Sequence, residues 1–191
     1  MLTEPESSYH GVVYTEAVGE LAYIIRARVV PLRNMGAALS PHNAFLALQG
    51  METLPIRMDR ICENALVAAK HLEGQASVDW VRYSGLDSSP DKALIDKYCG
   101  GRASGVLSFG IKGGAEAGAK FIDALQLITR LVNIGDAKTL ATHPASTTHR
   151  QLSPEELATT GVSEELVRLS IGIEHIDDII ADIDQALAAA S

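Results

Sequence analysis

The sequence predicts an α/β chain, a two-layer sandwich of helices on a small mixed or antiparallel sheet, preceded by a long helix and an extended N-terminal arm. Three observations predict it. The run Val167-Arg-Leu-Ser-Ile-Gly-Ile-Glu174 alternates apolar and polar residues at the period of a strand, and so do Val78–Tyr83 and Val106–Ile111. From Ser40 to about Leu72, apolar residues recur at helical spacing instead. A second helical face, Ile176, Ile179, Ile180, Ile183 and Leu187, closes the chain.

Residues 1–39 mix Pro, Gly and Ser with short β-branched runs such as Val12-Val-Tyr14 and Arg28-Val-Val30. They read as an irregular, extended arm with little core of its own, although Glu16 to Ala27 could equally form a short helix. Residues 40–74 form the long helix. Ser40 is its cap and Pro41 its first residue, where a missing N–H costs nothing. Phe45, Leu48, Met51, Met58, Ile61, Leu66 and Leu72 mark its apolar side, with Gly50 and Pro55 as possible interruptions and Gly74 as the stop. Residues 75–191 hold the sandwich: the strands Val78–Tyr83 and Val106–Ile111 with a helix over Pro90–Tyr98 between them, then a helix from Ala115 to Val132. A turn at Asn133 and a loop lead to Ser153-Pro-Glu-Glu156, a capping box. The Arg168 strand and the final helix complete the domain.

A chain of 191 residues with 47% hydrophobic side chains can fill a sizeable core. Its 24 acidic and 16 basic residues are spread rather than blocked, giving a net charge of −8, which argues against nucleic acid as a partner. No apolar run reaches the length of a membrane span and no secretory leader pattern opens the chain, so a cytoplasmic protein is expected. Cys62 and Cys99 are far apart and form no Cys-x-x-Cys pair; they read as buried free thiols.

Among candidate site residues, Arg168 stands first. A guanidinium fixed on a strand can grip a carboxylate through two parallel hydrogen bonds, and a rigid element holds it better than a loop does. The same arginine could instead pair with an acid of its own fold. Asn133 precedes Gly135-Asp136 and can donate an amide N–H to an anion or cap its own turn. His143, His149 and His175 lack the spacing of a zinc site, and no cysteine or carboxylate cluster joins them, so no metal is expected. Gly113-Gly114 reads as a strand-to-helix turn rather than a phosphate loop, and no Gly-x-Ser-x-Gly nucleophile motif is present.

Asn133-Ile-Gly-Asp136, His143-Pro-Ala-Ser-Thr-Thr-His149 and Val167–Glu174 occur in an order and at a spacing that resemble the C-terminal part of the pyridoxal-phosphate enzymes of cysteine and methionine metabolism. The nearest branch is O-acetylhomoserine sulfhydrylase, or O-acetylhomoserine aminocarboxypropyltransferase. The similarity extends through Pro5–Gly11, Arg26–Arg33, Gly36–Phe45 and Glu174–Asp178, nearly the whole chain. It implies the small domain of a fold-type I pyridoxal-phosphate enzyme. Residues 1–39 would then include a remnant of the cofactor domain, 40–74 the inter-domain helix, and 75–191 the substrate-carboxylate domain. Arg168 and Asn133 would bind the α-carboxylate of an O-acetylhomoserine-like amino acid. Thr148 matches a threonine near that carboxylate, or satisfies local backbone. Lys138 suits a substrate without a distal amine.

The family's reaction needs a lysine that forms a Schiff base with the cofactor, in a Ser-x-Thr-Lys type motif. None of Lys70, Lys92, Lys97, Lys112, Lys120 and Lys138 sits in one. The resemblance therefore implies that Met1 lies just downstream of the cofactor lysine, and that the chain holds no catalytic or cofactor-binding residue and binds no pyridoxal phosphate covalently. It also implies a truncated form, inactive alone, that needs a missing N-terminal half or another subunit and forms a homo-oligomer. The alternative is a non-catalytic interaction or self-association module derived from such an enzyme.

Overall fold

The computed structural model describes residues 1–190. The chain divides into two compact units, Met1–Glu52 and the remainder from Thr53.

In the first unit, one antiparallel bridge joins Glu6 to Val12. The chain then runs through α1 (Tyr14–Val18), α2 (Ala22–Ala27), a π-helical turn over Arg28–Leu32 and α3 (Arg33–Met35). The expected extended arm is thus corrected: Tyr14 to Met35 is largely helical, which agrees with the alternative of a helix within Glu16 to Ala27. Its β-branched runs are too short to hold a strand without a neighbouring ladder, whereas helical hydrogen bonds are made within the segment. Pro31 supplies no N–H, and the helix widens to π geometry where it sits. Arg26 grips Glu6 through Nε and Nη2 at 3.1 and 2.8 Å. Hydrogen bonds from Ser8 and Arg26 hold the Glu6 carboxyl below its ordinary range. Ser40 caps α4 (Pro41–Glu52) as expected, accepting the Asn43 N–H at 3.2 Å. None of the α4 residues is buried.

The long helix does not run unbroken. Thr53 interrupts it, and α5 (Leu54–Glu73) begins afresh with Pro55 in its first turn. Ile61, Asn64, Ala65, Ala68, Ala69 and Leu72 form its buried stripe, at the i, i+3, i+4 spacing of one helical face. The strands β1 (Val78–Arg82) and β2 (Val106–Ile111) match the alternation in the sequence, with α6 (Lys92–Cys99) between them.

The next helix, α7 (Gly114–Ala124), ends well before Val132. Asp182, buried on the last helix, accepts the N–H groups of Gln126, Leu127 and Ile128 at 2.9, 3.0 and 2.8 Å. Three consecutive amides turned to one carboxylate cannot also reach carbonyls four residues back, so the helix stops. Two short strands follow that the sequence did not announce, β3 (Thr129–Arg130) and β4 (Leu140–Thr142). The capping box forms: Glu156 accepts the Ser153 N–H at 2.8 Å and donates its own N–H to Ser153 at 3.3 Å, opening α8 (Pro154–Thr159). Then come β5 (Leu166–Ser170) and α9 (Ile176–Ala190).

The sheet order is β1-β2-β5-β4-β3, antiparallel except for the parallel β3–β4 pair. Leu107, Phe109 and Ile111 of β2 and Val167, Leu169 and Ile171 of the β5 segment turn to one face, where α5, α7 and α9 cover them. Phe109 and Phe121 meet edge to face at 5.4 Å at the centre of this core. Cys99 is exposed and Cys62 half-buried, so the expectation of two buried thiols is corrected. Among the described residues no helix is long and apolar enough to cross a membrane.

Candidate carboxylate-binding site

Val167 and Leu169 are fully buried in the core, so the strand pleat sends Arg168 to the opposite face of the sheet. There it stands in register with Ser108 on β2 and Thr142 on β4. Its Nη2 donates to the Asn133 carbonyl oxygen at 3.1 Å, and its buried Nε has no partner among the described residues. Arg26, Arg102 and Arg130 each pair with a carboxylate. Arg168 pairs with none among the described residues. The internal ion pair that the sequence left open is not what occupies it.

Asn133 is brought to Arg168 by the loop that follows β3. Its Oδ1 accepts the Ile134 N–H at 2.9 Å, which makes the local turn, while Gly135 supplies the positive φ of 77° that the turn requires. The side-chain oxygen is committed and the amide N–H groups of Asn133 make no hydrogen bond among the described residues. Thr148 lies apart. It is exposed, and its hydroxyl meets His149 Nδ1 at 2.8 Å rather than Arg168 or Asn133.

The Thr148 loop is anchored by His143, which is buried. His143 Nε2 lies 2.6 Å from the Glu164 carbonyl, an acceptor, so that nitrogen carries the hydrogen and Nδ1 faces the Ser146 hydroxyl at 2.9 Å. Gly118 packs against the ring so closely that a Cβ there would collide with it. No group of three His, Cys, Asp or Glu able to hold a metal occurs among the described residues.

Sequence reasoning missed a second polar cluster. Glu174, at the end of the Arg168 run, accepts the Thr139 N–H at 2.6 Å on Oε1 and the Thr139 hydroxyl at 2.8 Å on Oε2. That hydroxyl in turn accepts the Gly172 N–H at 2.9 Å, and Asn64 of α5 donates to the carbonyls of Gly172 and Glu174 at 3.1 and 3.0 Å. Its members are 33 to 110 residues apart in sequence, beyond the reach of local patterns.

A cavity of about 340 Å³ lies elsewhere, lined by Asp59, Cys62, Tyr83 and Arg102. Burial pushes the Cys62 thiol up, as does Asp59, and the thiol donates to the Ala103 carbonyl at 2.6 Å. A protonated, hydrogen-bonded thiol is a poor nucleophile. The lysines sit at the surface or in ion pairs. Lys70, Lys97, Lys112, Lys120 and Lys138 are exposed, and the half-buried Lys92 is held by Asp96.

The family profile of "Cys/Met metabolism PLP-dependent enzyme" matches residues 7–188. The O-acetyl-L-homoserine sulfhydrylase 1 of Thermus thermophilus is 53% identical over 188 residues, covering 98% of this chain and 45% of that protein. The homocysteine synthase of Schizosaccharomyces pombe is 49% identical over 187 residues, covering 98% of this chain and 44% of the relative. A Campylobacter jejuni structure assigned as an O-acetylhomoserine (thiol)-lyase, which carries an N'-pyridoxyl-lysine-5'-monophosphate, superposes with a TM-score of 0.85 at 41% identity. That match covers 98% of this chain and 44% of the solved one. The chain spans less than half the length of the relatives it matches.

Proposed function

The chain belongs to the Cys/Met metabolism PLP-dependent enzymes, and from that premise we propose that it supplies the carboxylate grip of an O-acetylhomoserine sulfhydrylase. The overall reaction joins sulfide or a thiol to O-acetylhomoserine, giving homocysteine or methionine and releasing acetate. The observation that carries this reading is Arg168: a guanidinium on the third of five strands, paired with no carboxylate among the described residues, beside a carbonyl and an uncommitted amide of Asn133.

In this reading the α-carboxylate of the amino acid receives hydrogen bonds from Arg168 and from the Asn133 amide. A charge-assisted contact of this kind is worth roughly 1.5–3 kcal/mol. Its larger effect is orientation, because fixing one end of a small substrate fixes the bonds that must react. Thr148 serves as a third contact when its hydroxyl exchanges His149 for the carboxylate. In this reading no lysine of the chain anchors the cofactor, and the cofactor and the bond-breaking steps come from a partner polypeptide, another subunit or the rest of a longer enzyme; the support is that none of the six lysines sits in a Ser-x-Thr-Lys type motif.

The experiment is to incubate the purified chain with pyridoxal phosphate, reduce with borohydride, and follow acetate release from O-acetyl-L-homoserine in the presence of sulfide. The expected result is no single labelled lysine and no acetate. A stoichiometric adduct at one lysine with turnover would overturn the division of labour. The reading of the chain as an interaction or self-association module is favoured by a different observation, the exposed Phe45, Leu46, Leu48 and Met51 of α4. The two are compatible, since a carboxylate-binding part must dock to the part that holds the cofactor.

A further inference from the structure

We propose that Glu174, Thr139 and Asn64 form a positioning clamp that sets the distance between Arg168 and Asn133; the proposal rests on the carboxylate-binding reading of those two residues. They come from separate stretches of chain. Arg168 is on β5, and Asn133 sits in the loop between β3 and β4, which without a tie would be free to move as loops are. Only the Arg168 Nη2 to Asn133 carbonyl contact joins them directly.

The clamp ties both stretches to one point. Thr139 is the last residue before β4 and is fully buried. Its hydroxyl accepts from the Gly172 N–H and donates to Glu174 Oε2, and its own N–H is taken by Oε1 of the same carboxylate. Its carbonyl accepts the Thr129 N–H at 3.0 Å where β3 begins, and the Leu131 N–H donates to the Ala141 carbonyl at 3.2 Å where the chain leaves β3, so the loop that carries Asn133 is held at both ends. The Ile173 N–H donates to the Ala137 carbonyl at 2.9 Å, adding a backbone stitch between the loop and the segment after β5. Asn64, also buried, fixes that segment from the helix side through the Gly172 and Glu174 carbonyls.

The packing leaves no slack. A Cβ on Gly172 would run into the Ala137 carbonyl oxygen, the Lys138 backbone and Glu174 Oε2, so only glycine lets the two segments approach this closely. A carboxylate receiving two hydrogen bonds from one residue is directional, and a buried network with its donors met has one low-energy arrangement. Glu174, Thr139 and Asn64 need not touch a substrate to act. They govern where Arg168 and Asn133 stand, and small errors in such placement are costly.

The test uses the isotope-labelled chain and two readouts: hydrogen exchange of the Arg168 Nε–H, and titration with O-acetyl-L-homoserine followed at the same signal. Thr139→Val and Glu174→Gln are expected to speed that exchange and to weaken binding by about 10- to 100-fold. Thr139→Ser, which keeps the hydroxyl, stays close to wild type. Exchange at the Phe109 amide reports whether the core is intact, and Glu174→Gln decides if Thr139→Val unfolds. The clamp is overturned if both variants exchange and titrate like wild type. Arg168→Lys tests the underlying reading separately: if it binds as well as wild type, or if wild type does not bind, the carboxylate assignment falls while the exchange arm still decides the clamp.

Discussion

The two units of this chain are built on opposite terms. From Thr53 onward, an apolar core runs without interruption through α5, the sheet, α7 and α9. In Met1–Glu52 the buried apolar side chains are Tyr14 and Ala22, while Leu21, Tyr23, Ile24, Leu39, Phe45, Leu46, Leu48 and Met51 are all exposed. Hydrophobic burial drives folding, so the second unit holds its own driving force and the first does not. A segment this apolar and this open suits the docking role proposed for it. The contrast separates a well-packed part that presents Arg168 from a part for which we propose a contact role.

The largest effect should come from the heart of the second unit. Phe109→Ala removes the ring that meets Phe121 edge to face and leaves a void between sheet and α7. It is expected to destabilise the second unit by about 3–5 kcal/mol in denaturant unfolding, with the exchange of amides in Met1–Glu52 unchanged. Equal loss in both regions would break the distinction. Asp182→Ala comes next: it strands the amides of Gln126, Leu127 and Ile128, at a cost of about 3 kcal/mol. Its signature is faster exchange at those three amides.

Phe45→Ser sharpens the comparison from the other side. In a residue 56% exposed it should change unfolding free energy by less than about 0.5 kcal/mol. It should nevertheless lower the mass measured by light scattering, or abolish capture of a partner that carries the cofactor. A wild-type chain that stays monomeric and captures nothing would count against the contact role.

The smallest effect is electrostatic. Burial raises the Glu165 carboxyl, but hydrogen bonds from Ser163, its own backbone and the Trp80 indole outweigh it, and the net shift is downward from 4.5. A carboxyl depressed on folding adds stability above its unfolded value, and that stability is lost as pH falls through the folded value. The acid limb below about pH 4.5 should therefore be steeper in wild type than in Trp80→Phe, which lacks the 3.1 Å indole donor.

Much of the second unit was legible in the sequence because its signals are local. β1, β2 and β5 alternate on one covered face, and Ser153 caps α8 where its hydroxyl meets the expected amide, as Ser40 does for α4 in the first unit. β4 was not legible: all three of its residues are buried, so it has no alternation to read. The Ala115 helix was read too long because the residue that ends it, Asp182, lies more than fifty positions away. The arm was misread because β-branched residues favour a strand only where a ladder awaits them. At the site, the type and strand placement of Arg168 were evident, and so was the turn at Asn133. Thr139, Asn64 and the role of Glu174 were not, since a hydrogen-bond network that joins a helix, a loop and a strand end leaves no period in the sequence.

The central claim is tested most directly by calorimetric titration of the chain with O-acetyl-L-homoserine and with its methyl ester, each against wild type and Arg168→Gln. Binding of the free acid to wild type, lost both in the ester and in the variant, is the predicted result. An ester that binds as well as the acid, or a variant that binds as well as wild type, would contradict the assignment of Arg168 as the carboxylate grip.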